Sequence, residues 1–114
     1  MTATDQNAPG TCFRVLLRME LHPGREEEFE EAWLAGADII TSQPANLGQW
    51  LAASTEEPSV YYIVSDWTDE AGFREYEHSE IHLEHRKRLH PYRKSGSMAV
   101  MTVLRAMTGA AAAA

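Results

Sequence analysis

Four side chains have types and spacing that suit chemistry: Trp67, Tyr76, His82 and Arg86. Trp67 ends the apolar run Tyr-Tyr-Ile-Val-Ser-Asp-Trp, and the other three follow in a long helical stretch. His82 and Arg86 are four residues apart, so on a helix they share a face. Tyr76 stands about one and a half turns before His82, so its direction depends on whether the helix is continuous. An indole, a phenol, an imidazole and a guanidinium beside one pocket would offer a flat ligand apolar surface and a few polar contacts. Tyr62, Phe73, Trp50 and Trp33 are the aromatic residues expected to add substrate-binding surface. Three of the four also have a plain structural reading. Trp67 fits a strand-end core residue, Tyr76 a core ring with its hydroxyl at the surface, and Arg86 an exposed helix position.

The histidines suggest another chemistry. His78, His82 and His85 follow a helical spacing that could bring three imidazoles near a metal. A metal site needs ligands converging from a rigid frame, usually with a carboxylate or cysteine from elsewhere. Glu77, Glu80 and Glu84 read instead as solvent-facing helix charges, so no metal site is expected. The sequence has no Gly-rich phosphate loop, dinucleotide fingerprint, nucleophile elbow or paired cysteines. A nicotinamide or flavin in a standard fold is therefore not expected.

The elements that must hold these residues form one domain of 114 residues. Residues 12–107 are read as the folded unit, with mobile segments over 1–11 and 108–114. A net charge of −7 argues against nucleic acid and anionic membrane surfaces as partners. The longest apolar run is far below the ~20 residues that span a bilayer, and residues 1–10 lack the pattern of a signal peptide. The expected location is cytoplasmic. The single cysteine, Cys12, excludes an internal disulfide and reads as a small strand residue.

Cys12–Leu21 alternates as a half-buried strand, with Phe13, Val15, Leu17, Met19 and Leu21 on one face. His22-Pro23-Gly24 breaks it. Residues 25–40 carry an apolar stripe of Phe29, Trp33, Ala37 and Ile40, and acids in the first turns favoured by the helix dipole. Residues 47–54 and Val60–Trp67 read as strands. The second is apolar or aromatic on both faces and so needs cover on both sides. Thr68 or Asp69 caps a helix running to about Leu89, with a break expected near His78-Ser79 and a stripe of Phe73, Tyr76, Ile81, His85 and Leu89. Ser95-Gly96-Ser97 reads as a loop, and residues 98–104 as a fourth strand. The order gives an α+β class: a ferredoxin-like βαββαβ unit with a four-stranded antiparallel sheet and two helices on one face. The other face is most simply covered by a second copy of the chain.

The stretch Phe13-Arg-Val-Leu-Leu-Arg-Met-Glu-Leu-His-Pro-Gly-Arg-Glu-Glu-Glu-Phe-Glu, and Trp67-Thr-Asp-Glu-Ala-Gly-Phe with Tyr76 and Ser79, resemble the antibiotic biosynthesis monooxygenase superfamily, polyketide branch. The resemblance covers residues 12–107. It implies a dimeric α+β barrel, a homodimer in which two ferredoxin-like units pack sheet to sheet. It also implies a small oxygenase that oxidises anthrone-type or phenolic rings with molecular oxygen and no metal, flavin or other cofactor. On that resemblance Trp67 matches the strand-end tryptophan of the polyketide oxygenases. Arg86 would face a developing oxyanion or peroxide, and Tyr76 and His82 would donate hydrogen bonds or accept a proton. Some members carry an asparagine on the first strand, where this chain offers Arg14, Arg18 and Glu20. The haem-degrading branch fits worse. Tyr76 and Arg86 occupy the positions of its helix tryptophan and axial histidine, and arginine is not an axial iron ligand.

Three functions follow from this reading. The first is a cofactor-free monooxygenase acting on an aromatic polyketide. The second is a polyketide cyclase of the same fold using acid-base chemistry. The third is a non-catalytic dimer that binds a small aromatic ligand.

Overall fold

A computed structural model describes residues 11–113. The segment expected to be mobile over 1–11 lies, apart from Thr11, outside the described residues. The elements are β1 (Cys12–Leu21), α1 (Glu26–Thr41), β2 (Asn46–Ala53), β3 (Val60–Trp67), α2 (Glu70–Glu77), α3 (Glu80–Leu89), a short 3-10 turn (His90–Tyr92), β4 (Arg93–Val103) and one terminal helical turn (Ala110–Ala113). The sheet order is β2-β3-β1-β4, and every neighbouring pair is antiparallel. This is the ferredoxin-like unit expected from the sequence.

Strand parity decides which residues meet the helices. Phe13, Val15, Met19 and Leu21 of β1 are buried on one face, and β3 sets Tyr61, Ile63, Ser65 and Trp67 on that same face. Arg14, Leu16 and Arg18 take the opposite face with Tyr62, Val64 and Asp66. There Arg14 grips Asp66 through two hydrogen bonds of 2.7 and 2.8 Å. Among the described residues no helix covers that outer face, which also carries Trp50, half exposed, and Met101.

The helices form where local signals agree. Gly24 takes a φ of +87° in the turn before α1, a conformation that a side chain rarely allows. Glu26, Glu27 and Glu28 then place negative charge at the positive end of the helix dipole. Asp69 caps α2 by accepting from the Gly72 backbone N–H at 2.7 Å. Ser79 both closes α2 and opens α3: its hydroxyl donates to the Tyr76 carbonyl at 2.6 Å and accepts from the His82 backbone N–H at 3.2 Å. The break expected near His78-Ser79 therefore exists, and the serine side chain makes it.

Two differences from the sequence reading concern the second half of the chain. β4 begins at Arg93, five residues earlier than expected, and Ser95-Gly96-Ser97 is strand rather than loop. Those residues pair with Glu20, Met19 and Arg18, so the β1 ladder overrides a local turn signal. Ile81 does not continue the buried stripe. It is 47% exposed, because the break at Ser79 resets the helical phase.

The core forms two clusters. Phe13, Val15, Ile40, Trp67, Phe73 and Tyr76 pack at one end, and Met19, Leu21, Phe29, Tyr61, Ile63 and Leu89 at the other. Leu17 touches both. Among the described residues, no helix is long and apolar enough to cross a membrane.

Candidate active site

A cavity of about 460 Å³ opens between the two core clusters, beneath α2 and α3. Its floor comes from β1 and β3 through Val15, Leu17, Ile63, Ser65 and Trp67, with Gln49 from β2. Phe73, Tyr76, His82, His85 and Arg86 form the helical wall. The size suits a drug-sized ring system.

Trp67 is fully buried at the end of β3. Its indole Nε1 donates to Ser65 Oγ at 2.9 Å, which fixes the ring across the floor. Tyr76 stacks on it, with centroids 5.4 Å apart and ring planes at 22°. Phe73 meets the same indole edge-on at 5.5 Å. His82 then meets Tyr76 edge to face at 5.0 Å. One continuous aromatic wall results, set by a strand end, one helix and the start of the next.

Four polar atoms in this lining are buried and find no hydrogen-bond partner among the described residues: Tyr76 Oη, His82 Nδ1, His85 Nδ1 and Gln49 Oε1. Buried polar groups are nearly always paired, so Tyr76 Oη, His82 Nδ1 and Gln49 Oε1 are left for a ligand or water to satisfy, whereas His85 Nδ1 lies against Gly36. Burial pushes the Tyr76 hydroxyl up to about 12, which keeps it a proton donor. Burial also lowers His82, against a raising contact with the Glu77 backbone, and Arg86 lowers it further. His85 is lowered by burial first and then by Arg88 and His82. Both imidazoles are thus held neutral, as a general base requires. His85 sits against Gly36 of α1, where an added Cβ would stand 2.7 Å from His85 Nδ1 and 2.3 Å from Arg88 Nη1. The glycine admits the imidazole between the helices.

Charge at the site is one-sided. Arg86, Lys87 and Arg93 line the cavity, and Arg86 has no carboxylate partner among the described residues. Glu77 is the one carboxylate in the lining, and Arg74 neutralises it at 2.9 Å.

The structure brings Trp67, Tyr76, His82, Arg86 and Phe73 to one cavity. It does not bring Tyr62, Trp50 or Trp33 there. Tyr62 lies on the outer sheet face opposite Arg18, and Trp50 lies on that face opposite Val64. Both fall on the wrong strand parity. Trp33 packs from α1 against the second core cluster, with its buried Nε1 lacking a partner among the described residues. Sequence reasoning passed over Gln49 and Ser65. Each is a polar residue in a strand read for its aromatics, and its parity with Trp67 or with a buried neighbour is the available signal. Among the described residues, no group of three or more His, Cys, Asp and Glu side chains is arranged to hold a metal.

A family profile for antibiotic biosynthesis monooxygenases matches residues 12–88. The chain belongs to that family. SchA from Streptomyces halstedii is 30% identical over 96 residues, covering 84% of this chain and 25% of SchA. A 42.8 kDa protein in the whiE locus of Streptomyces coelicolor is 29% identical over 75 residues, covering 66% of this chain and 19% of that protein. The chain thus spans a quarter or less of the length of these curated relatives. Among solved structures, SnoaB, a cofactor-independent oxygenase from Streptomyces nogalater, superposes with a TM-score of 0.73 at 21% identity, over 88% of this chain and 97% of that one. A conserved protein from Methanosarcina mazei gives a TM-score of 0.73 at 15% identity, over 81% and 92% of the two chains. At such identities these structures establish the shared fold.

Proposed function

We propose that this protein is a cofactor-independent monooxygenase that oxidises an aromatic polyketide intermediate, anthrone-like or phenolic, with molecular oxygen to a quinone or hydroxylated product. One observation carries the reading: an aromatic cavity whose lining residues Tyr76, His82 and Gln49 each hold a buried, unpartnered polar atom. A flat ring system fills the apolar part, and its oxygen substituents satisfy the polar atoms. Family membership and the likeness to SnoaB support the reaction class.

In this reading neutral His82 takes a proton from the ring carbon to be oxidised. The carbanion passes one electron to dioxygen, and the two radicals recombine to a peroxide. Loss of water from the peroxide leaves a carbonyl. One oxygen atom enters the product and the other departs in water, so the substrate itself supplies the electrons. Tyr76, protonated well beyond neutral pH, donates to the developing oxyanion, and Arg86 supplies fixed positive charge at the mouth. Trp67 and Phe73 hold the ring plane and keep bulk water away.

The working unit in this proposal is a homodimer. Leu16, Trp50, Val64 and Met101 lie on the uncovered sheet face, and a second copy would cover them.

The neutral imidazole and protonated phenol also favour the runner-up, a polyketide cyclase, because ring closure needs a base and an acid. Oxygen uptake separates the two. Added to anthrone in chelator-treated buffer, the protein is expected to accelerate oxygen consumption, with one dioxygen used per substrate. Turnover no faster than in buffer contradicts the oxygenase. Ring closure of a linear polyketide mimic without oxygen uptake selects the cyclase.

A further inference from the structure

The Gln49 amide is tied at its nitrogen and unpaired at its oxygen. Its Nε2 donates to the Ala37 carbonyl of α1 at 2.7 Å. A carbonyl only accepts, so the amide orientation is fixed and Oε1 is the atom left over. That oxygen is buried in the cavity lining with no partner among the described residues. The tie to α1 explains the nitrogen and leaves the oxygen unexplained.

Directly across the β2–β3 ladder from Gln49 stands Ser65. It is 9% exposed and lines the same cavity. Its Oγ accepts the Trp67 indole proton, and among the described residues no acceptor takes its own proton. A fixed acceptor and a free hydroxyl donor therefore belong to directly opposed residues of the floor. Opposite residues on paired strands are about 5 Å apart, so one small group can reach both. A hydroxyl, of a ligand or of water, satisfies an acceptor and a donor together.

We propose that Gln49 and Ser65 read a phenolic hydroxyl of the ligand, which donates to Gln49 Oε1 and accepts from Ser65 Oγ. The pair sets which ring substitution the cavity accepts. It sits on the strand floor, across the cavity from Tyr76 and His82 on the helical wall. The bound ring is thus held by its hydroxyl on one side while its reacting carbon meets the wall. The assignment deepens the oxygenase reading and rests on it only for the aromatic nature of the ligand.

The test is anaerobic calorimetry, which reads binding without turnover. The probes are anthrone, a hydroxyanthrone whose hydroxyl is remote from the carbonyl, and its methyl ether. The wild-type protein is expected to bind the hydroxyanthrone about tenfold more tightly than the other two, as one buried hydrogen bond supplies. Gln49→Met, similar in length, is expected to bring the three affinities within about twofold of one another. Ser65→Ala is expected to remove about half of the preference, in logarithmic terms. Equal affinities in the wild type overturn the proposal, as does a preference that survives Gln49→Met at wild-type melting temperature. Should Gln49→Met fail to fold, the preference in Ser65→Ala decides by the same criterion. A hydroxyl preference without oxygen uptake sinks the oxygenase reading alone. Oxygen uptake without the preference sinks this one alone.

Discussion

The rings of Tyr76 and His82 meet at 5.0 Å, edge to face, although six residues separate them. On an unbroken helix, six residues place side chains about 120° apart around the axis. The junction at Ser79 removes that difference. Its hydroxyl caps α3 through the His82 backbone, so the residue that breaks the helix also aims the histidine.

Ser79→Ala is therefore expected to affect function more than stability. Loss of the cap costs about 1 kcal/mol, measurable by denaturant unfolding. Turnover is expected to fall about a hundredfold as His82 rotates away from Tyr76. Full activity in a protein destabilised by that amount would show that the junction only ends a helix.

The buried His85 and half-buried His82 set the acid side of the stability profile. His82 and His85 lie below the ordinary histidine value of 6.5 in the folded protein, mainly through burial. Below 6.5 the unfolded chain takes up protons that the folded chain refuses, so stability falls as pH drops through that value. Thermal melts between pH 7 and about pH 5 are expected to show this loss. His85→Gln is expected to reduce it and leave the part due to His82, since glutamine does not titrate. On the alkaline side Tyr76 and Tyr61 are raised to about 12, so their contribution is lost as pH climbs past 10. Melts that stay level on the acid side would contradict the buried, neutral state of the histidines.

Trp67 and Arg86 separate structure from chemistry. Trp67→Ala removes a fully buried ring and is expected to cost about 3–5 kcal/mol. Arg86 is exposed, so Arg86→Gln is expected to change stability by less than about 0.5 kcal/mol. If its charge meets the oxyanion, turnover of anthrone falls about a hundredfold. Unchanged turnover would remove Arg86 from the reaction.

The sheet face offers a prediction about assembly. Sedimentation is expected to give twice the 12.8 kDa chain mass, and Met101→Glu is expected to shift the protein toward monomer. A wild-type monomer at micromolar concentration would contradict the dimer.

The fold was legible because the alternation in β1, the two-faced apolar run of β3, the cap at Thr68 or Asp69 and the break near His78-Ser79 are local signals in the sequence. β4 was misjudged at its start because Ser95-Gly96-Ser97 looks like a turn until its partners in β1 are known. The same limit applies to the site. Phe73, Tyr76, His82 and Arg86 stood out by type and by helix position. Tyr62 and Trp50 were chosen for their rings, yet strand parity sends both to the outer face. Gln49 and Ser65 carry no conspicuous chemistry in sequence. Only pairing across β2 and β3, and the fixed amide, set an acceptor-bearing residue opposite a donor-bearing one.

The most direct measurement is product analysis after reaction of anthrone under isotopically labelled dioxygen, with and without protein, in chelator-treated buffer. The account predicts a protein-dependent quinone that carries one labelled oxygen atom, with the second recovered in water. Labelled quinone formed at the buffer rate, or a protein-dependent product without label, would contradict it.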